Sequence, residues 1–289
     1  MHDPVEDNEK ARNARCLICR GGLLALVAAA GACAGETNAP IHPADALRPT
    51  AAVPKLRDGF ESGRLATFWR AGDGGSGRYA AGAIVVTDAC ARAGERSARI
   101  TVREGDVAQR TESGVPNERA ELDSCRHVLL GRDVWCGFSF LLGEDFPIVD
   151  VRLVLSQWKQ SGLSGSPIVA QRFRAGRHYL TVRDLDTPGE RRERVELPAV
   201  APGRWNDMVF HVRFATDSRG LIELWMNGEL VASVRGPTAA AGAEPAFYHK
   251  VGLYRDRMTA PMTLFLDNYA LGDSFEAVDP ARFDAAAGK

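Results

Sequence analysis

The feature that most constrains the fold is a long series of short apolar or β-branched segments separated by Gly, Pro and Asp. The clearest segments are residues 83–86, 98–102, 134–142, 149–158, 179–182, 208–214, 221–226, 231–234 and 262–271. Runs of this length and pattern are typical of β-strands. Asn227-Gly228 separates two of them, and because both residues tolerate positive φ, the pair predicts a hairpin.

Helical patterns are nearly missing from the same region. The sequence suggests only one short helix, near residues 280–287. Many regularly spaced strands without long helices are typical of a β-sandwich or jelly roll. We therefore expect an all-β fold in a single domain over residues 56–280, followed by a tail at 281–289.

The composition indicates a globular chain and disfavours a nucleic-acid partner. Hydrophobic residues make up 45% of the chain, and 36 Lys+Arg balance 37 Asp+Glu to give a net charge of −1. A nucleic-acid-binding domain usually carries a marked positive excess. Only five of the positive residues are lysines, and the planar guanidinium of arginine suits carboxylates and phosphates. The composition is therefore compatible with local binding of an anionic ligand.

The first 55 residues have the features of a targeting segment and a tether. Three arginines precede an apolar run at 21–30, and small residues surround Cys33. The run is shorter than the about 20 residues that span a bilayer, so we expect a cleaved export signal at 1–33 and no transmembrane segment in the mature chain. Lipid attachment at Cys33 stays open, which leaves a periplasmic, secreted or lipid-anchored location. Residues 34–55, rich in Ala and Pro, are predicted to be a tether.

The cysteines do not indicate a metal site. Cys16 and Cys19 have C-x-x-C spacing, but they lie within the predicted signal and no second pair follows. Cys90, Cys125 and Cys136 remain in the mature domain. One disulfide is compatible with an oxidising compartment, and the sequence does not decide its pairing.

Three predicted strands carry polar side chains at alternating positions. These positions are Asn117, Arg119, Glu121 and Asp123 in the first strand, Gln157 and Lys159 in the second, and Tyr248, Lys250 and Tyr254 in the third. Alternation places each set on one face of a sheet, where the simple alternative is a solvated face. In the second strand, Leu153 and Leu155 are expected to share the face of Gln157, with Trp158 on the other. Gly252 in the third strand would allow a close approach.

The order and type of these residues form the patterns R-x-E-L, Q-x-(base) and Y-x-K-x-G-x-Y. Together they resemble the polysaccharide lyases with a concanavalin-like β-jelly roll, both the family 7 alginate lyases and the heparin-lyase-I-like and glucuronan-lyase-like group. The segments Asp58–Gly63, Asn227-Gly228 and Phe265–Asn268 are similar to that second group. The resemblance covers residues 56–272.

This resemblance implies a β-elimination on a uronic-acid polymer. Such a lyase removes the proton at C5, beside the sugar carboxylate, and expels the oxygen at C4. In these families the tyrosine at the position of Tyr254 acts as acid or as acid and base, while the residues at Arg119 and Gln157 act on the carboxylate. Glu121 would orient Arg119. The substrate-binding residues that we expect are Asn117, Glu121, Tyr248, Lys250, Arg172 and Arg255.

One motif position departs from the pattern, because Lys159 stands where these lyases usually have histidine. A lysine can bind the carboxylate as a cation, or act as a base if burial lowers its pKa. His249 does not replace the histidine, because alternation sends it to the face opposite Tyr254. In glucuronate and mannuronate the C5 proton and O4 lie on the same ring face, so one tyrosine can serve both. The missing histidine therefore favours syn elimination on a glucuronate- or mannuronate-type polymer.

Two other functions are alternatives to a lyase. A jelly-roll module that binds glycans without cleaving them is the main alternative, because the histidine is missing. A glycoside hydrolase needs two carboxylates across the scissile bond, and the E-x-D-x-E strand common in such sandwiches is lacking. The partner would be an anionic polysaccharide, and we expect a monomer.

The proposed chemistry requires no cofactor. Asp267 and Glu61 could hold a structural Ca²⁺ through carboxylate oxygens, as some relatives do. A structural calcium site at these two residues is therefore what the resemblance implies.

Overall fold

A computed structural model of the protein describes residues 55–70, 79–110, 116–124, 126–185 and 191–283. The predicted export signal, the tether apart from Lys55, and Cys125 lie outside the described residues. Within those residues the chain forms sixteen β-strands, a short helix α1 (Phe275–Val278) and a 3-10 turn at Pro280–Arg282. In this part of the chain no helix has the length and apolar character that a membrane crossing requires.

The strands form two antiparallel sheets of eight strands each. Sheet one contains β1 (Leu56–Asp58), β2 (Ile84–Thr87), β3 (Ser97–Val102), β7 (Asp133–Leu142), β12 (Trp205–Arg213), β13 (Leu221–Met226), β14 (Glu229–Arg235) and β16 (Met262–Gly272). Sheet two contains β4 (Val107–Arg110), β5 (Pro116–Asp123), β6 (Val128–Leu129), β8 (Leu153–Gln160), β9 (Val169–Arg174), β10 (Arg177–Arg183), β11 (Arg191–Glu196) and β15 (Ala246–Asp256). The predicted all-β architecture is confirmed.

The strand order brings distant segments side by side. Sheet one runs β14-β13-β12-β7-β16-β3-β2, with β1 also paired to β16. Sheet two runs β11-β10-β9-β8-β15-β5-β4, with β6 also paired to β15. The three strands that carry the polar motifs, β5, β8 and β15, are therefore direct neighbours, with β15 in the middle.

The core lies between the two sheets and is rich in aromatic rings. Phe214 of the loop after β12 stacks on Phe247 of β15 with 3.8 Å between ring centroids, and Trp158 of β8 meets Phe214 edge-on at 5.5 Å. His249 is fully buried against Phe138 and Trp158, and this burial lowers its pKa to about 3. The prediction that His249 faces away from Tyr254 is confirmed.

The turn chemistry of the sequence is also confirmed at the best-marked hairpin. Asn227 and Gly228 connect β13 and β14 with φ of 52° and 85°. The predicted helix near 280–287 is instead the 3-10 turn, preceded by α1, while residues 284–289 lie outside the described part. Cys136 is buried and Cys90 half-buried, and the two are not joined to each other.

Candidate active site

The three polar motifs meet on the outer face of sheet two, the face turned away from sheet one. Ala120 and Leu122 of β5 enter the core, so the alternate residues Arg119, Glu121 and Asp123 point outward.

The facing pairs on this side are Tyr254 with Arg119, Gly252 with Glu121, and Lys250 with Asp123 and with Gln157. We call this set, together with Lys159 and Tyr248, the outer-face site.

A buried carboxylate connects the two outer strands of the site. The Gln157 amide on β8 donates a hydrogen bond of 2.5 Å to Glu121 Oε1 on β5, although β15 lies between these strands. Glu121 Oε2 lies 3.1 Å from Arg119 Nε. Gly252, on the middle strand β15, faces Glu121. It has no side chain that would separate Gln157 from Glu121. Glu121 therefore holds both groups that the resemblance assigns to the substrate carboxylate.

Arg119 is in turn packed against the tyrosine of the third motif. Its Cζ lies 3.9 Å from the centroid of the Tyr254 ring. Burial acts to lower the pKa of Arg119, but Glu121, Tyr79 and Tyr254 outweigh it, so this pKa lies above its ordinary value. The guanidinium therefore stays positive in a recessed position, next to the phenol that would exchange protons.

A second arginine contacts the same ring. Arg152, directly before β8, has its Cζ 4.5 Å from the Tyr254 ring centroid. Its Nε and Nη2 both donate to Asp256 Oδ1, at 3.0 and 2.6 Å. Sequence reasoning missed this residue, which belongs to none of the three motifs.

The opposite end of the outer-face site is organised around Asp123. Its Oδ2 lies 2.6 Å from Arg70 Nη2 and 3.8 Å from Lys250 Nζ. Lys250 Nζ is 5.3 Å from the centroid of the Tyr248 ring, and Tyr248 faces Lys159 across the strands. Cations from three segments of the chain thus lie at this end of the site.

His127 is a further residue at this end. Its ring centroid lies 5.7 Å from that of Tyr248. Burial lowers the pKa of His127, with Asp123 acting against this shift and Arg70 adding to it. No sequence pattern connects His127 or Arg70 with the motifs, because both residues lie outside the motif strands.

Two other predicted substrate-binding residues lie on the same sheet. Asn117 is 1% exposed and faces Asp256 across the β5–β15 pair. Arg172 on β9 is buried and donates through Nε to Thr181 Oγ1 at 2.9 Å. It faces Val154, which faces Tyr254 in turn, so Arg172 lies two strands from the tyrosine.

The prediction that Arg255 binds substrate is wrong. Arg255 is fully buried, forms an ion pair of 2.7 Å with Glu118, and donates to the carbonyl of Ala260. As the neighbour of Tyr254 along β15, it points to the opposite face of the sheet. Its charge is used to neutralise a buried carboxylate.

The predicted face of β8 is also wrong in part. Leu153, Leu155 and Trp158 all belong to the core, whereas regular alternation would separate Trp158 from the two leucines. The pairing of β8 with β9 shifts register between Val154 and Ser156. An extra residue at such a β-bulge reverses the alternation beyond it, so Gln157 faces outward although Leu155 faces inward.

The two carboxylates proposed for calcium lie outside this site and accept backbone hydrogen bonds. Asp267 accepts from the amides of Arg92, Ala93 and Asn268, and Glu61 accepts from those of Glu95 and Arg96. Burial, with Glu61 adding to it, raises the pKa of Asp267 to about 6.

Ca²⁺ takes about six to eight oxygen ligands, and the described residues include no group of three acidic, His or Cys side chains that could hold a metal. Calcium stays a prediction, and no step below depends on it.

The comparisons with known proteins agree with this fold. A family model described as Polysaccharide lyase matches residues 60–270. An endo-β-1,4-glucuronan lyase from the fungus Trichoderma reesei superposes with a TM-score of 0.57 at 20% identity, over 76% of this chain and 100% of that chain. The family 7 alginate lyase A1-II′ gives 0.52 at 18% identity, over 68% and 85%. The cellulose-induced protein Cip1 gives 0.51 at 15%, over 76% and 97%. A search of curated protein sequences finds no match.

The two antiparallel sheets and the similarity to the glucuronan lyase structure show the β-jelly-roll fold that the sequence predicts. The family model covers more than half of the chain. The protein belongs to the polysaccharide lyase family and is a polysaccharide lyase.

Proposed function

We propose that this lyase cleaves a uronic-acid polymer by β-elimination at the outer-face site. The observation that carries the proposal is the continuous series of contacts from Gln157 through Glu121 and Arg119 to Tyr254. It combines anion-binding groups and a proton-transfer group within one recessed site. The elimination needs both kinds of group next to each other.

The substrate carboxylate must be neutralised before C5 can lose its proton. Removal of that proton places negative charge beside an existing carboxylate, so preorganised donors are required. A guanidinium carries five N–H donors, and Glu121 contacts Nε of Arg119, so the same group can also bind a carboxylate. Gln157 adds an amide, and Lys159, two residues along the same strand, adds a cation. Glu121 acts by holding Arg119 and Gln157 in place.

Tyr254 is the proposed proton-transfer group. As phenolate it takes the C5 proton, the C5–H electrons form the C4=C5 bond, and the C4–O bond breaks. The departing oxygen then takes the proton back from the Tyr254 hydroxyl. This sequence leaves the tyrosine unchanged and requires the proton and the leaving oxygen on one face of the sugar, as in glucuronate and mannuronate.

We therefore propose a glucuronate- or mannuronate-type polymer as the substrate. The similar proteins include a glucuronan lyase and alginate lyases, which supports an anionic polymer of this class. Tyr248, Lys250, Asn117 and Arg172 would contact the chain on either side of the cleaved bond.

The test is the ultraviolet absorbance of the new C4=C5 bond, followed separately with glucuronan, polymannuronate, polyguluronate and heparin. We expect the signal with glucuronan or polymannuronate, and a loss of about 10²-fold or more in Tyr254→Phe. Tyr179→Phe, which removes a hydroxyl from β10 of the same sheet, is the matched control and should keep its rate. Activity on polyguluronate alone, in which the C5 proton and O4 lie on opposite ring faces, would contradict syn elimination. Binding without absorbance would instead indicate a module that binds glycans without cleaving them.

A further inference from the structure

We propose that Arg152 is a positioning residue that fixes the ring of Tyr254 for catalysis. This inference deepens the proposed function and rests on it. Arg152 belongs to none of the three motifs, and its effect would pass through the tyrosine rather than through the substrate.

The geometry brings two guanidinium groups against the ring of Tyr254. Arg119 comes from β5, and Arg152 directly precedes β8; these are the two strands that flank β15. Their Cζ atoms lie 3.9 and 4.5 Å from the centroid of the Tyr254 ring. A planar guanidinium stacks well on an aromatic ring, so contacts from both flanking strands restrict the tilt and rotation of the ring.

Arg152 is itself held by two kinds of contact with Asp256, two residues beyond Tyr254. The Asp256 amide donates to the Arg152 carbonyl at 3.1 Å, which extends the β8–β15 ladder. Two N–H groups of the Arg152 side chain donate to Asp256 Oδ1. Its side chain is 27% exposed, so its removal opens no cavity in the core.

A fixed ring matters because the Tyr254 hydroxyl must reach both the C5 proton and the leaving oxygen. An error of about 1 Å in the position of a reacting group can cost about 10²-fold in rate. Loss of Arg152 should therefore reduce the rate of the chemical step and leave substrate affinity nearly unchanged. A residue that binds substrate directly would show the opposite pattern.

The kinetic experiment compares Arg152→Ala, Asp256→Asn and the control Arg219→Ala. Arg219 forms a more exposed arginine–aspartate pair with Asp217, in the turn between β12 and β13 of sheet one. We expect Arg152→Ala to lower kcat by about 10- to 100-fold with little change in KM, and Asp256→Asn to lower it less. Low millimolar guanidinium should partly restore Arg152→Ala and leave the control unaffected. An increase in KM alone, or an unchanged kcat, would overturn the proposal.

A second measurement follows the ring itself and does not depend on turnover. With 3-fluorotyrosine in place of Tyr254, a restricted ring gives two slowly exchanging ¹⁹F resonances. In Arg152→Ala they should merge into one averaged line, while Arg219→Ala keeps both. Identical spectra for the parent and Arg152→Ala would refute the positioning role. A parent protein without lyase absorbance would refute the proposed function, and the ring spectra would still decide the role of Arg152.

Discussion

Glu121 is the residue on which the polar contacts of the site converge. It is 1% exposed, accepts from Gln157 and faces Arg119, so its two oxygens are shared between two strands. A buried carboxylate is costly unless it is paired and hydrogen-bonded. Here both requirements are met by the two groups that are proposed to bind the substrate carboxylate. The geometry of the site and its stability therefore depend on the same residue.

Replacement of Glu121 by glutamine tests this dependence. Glu121→Gln keeps the shape but removes the charge that Arg119 faces in its buried position. We expect a loss of about 3 kcal/mol in the free energy of unfolding and a clear fall in kcat/KM. Urea unfolding and the absorbance assay would measure the two effects. In Glu196→Gln, an exposed carboxylate that accepts from Arg177 and Arg194, little change is expected. Equal stability of Glu121→Gln and the parent would contradict this account.

The sequence identified most residues of the site but few of their contacts. Alternation and motif order predicted Arg119, Glu121, Gln157 and Tyr254, which the structure brings together. Arg152 could not be predicted in the same way, because its partners lie about 100 residues away on another strand. Such contacts depend on strand neighbours, which local patterns do not specify. Alternation alone places Arg255 on the face opposite Tyr254, in agreement with its burial.

At the scale of elements, Gly252 determines how closely β15 approaches β5. Its φ is 146°, and a Cβ built there would lie 2.4 Å from the Ala120 carbonyl oxygen and 2.8 Å from the Glu121 Cα. These atoms are backbone, so the clash cannot be relieved by a rotamer change. Gly252 lies where the pairing of β15 with β8 shifts register.

We therefore expect Gly252→Ala to be strongly destabilising. The combination of backbone strain and a backbone clash should cost at least about 2 kcal/mol, and it should disturb the Gln157–Glu121 contact as well. Gly59→Ala is the matched control, because no atom lies within 4 Å of a Cβ built there. Thermal unfolding of both variants would measure the difference. A Gly252→Ala protein as stable as Gly59→Ala would show that the strand can relax.

A comparison of β5 with β8 shows why local patterns predict some strands better than others. In β5, regular alternation holds from Arg119 to Asp123 and the predicted faces are confirmed. In β8, the bulge near Leu155 reverses the faces, and nothing in the apolar run marks its position. A bulge is selected by the pairing of a strand with its neighbours. The opposite directions of Leu155 and Gln157 therefore could not be predicted from the sequence of β8 alone.

At the scale of the whole molecule, His178 and His249 are buried as neutral groups in the part of the chain that the structure describes. Burial lowers the pKa of His178 to about 4 and that of His249 to about 3. In the unfolded chain both would titrate near about 6.5. As the pH falls below that value, the unfolded state binds protons that the folded state does not, so stability falls with pH. The stability that the two neutral histidines contribute is lost progressively as the pH falls from about 6.5 to their pKa values in the folded protein.

Asp267 opposes this trend, because its folded pKa of about 6 lies above its ordinary value. Between its two values the folded state binds the proton first, and stability from this group rises as the pH falls. These three groups together, two histidines against one carboxylate, contribute a net difference of about one proton, or about 1.4 kcal/mol per pH unit near pH 5. In Asp267→Asn the opposing group is removed, so the loss should steepen to about twice that value. Urea unfolding at closely spaced pH values would measure both slopes, and equal slopes would mean that Asp267 titrates normally in the folded protein.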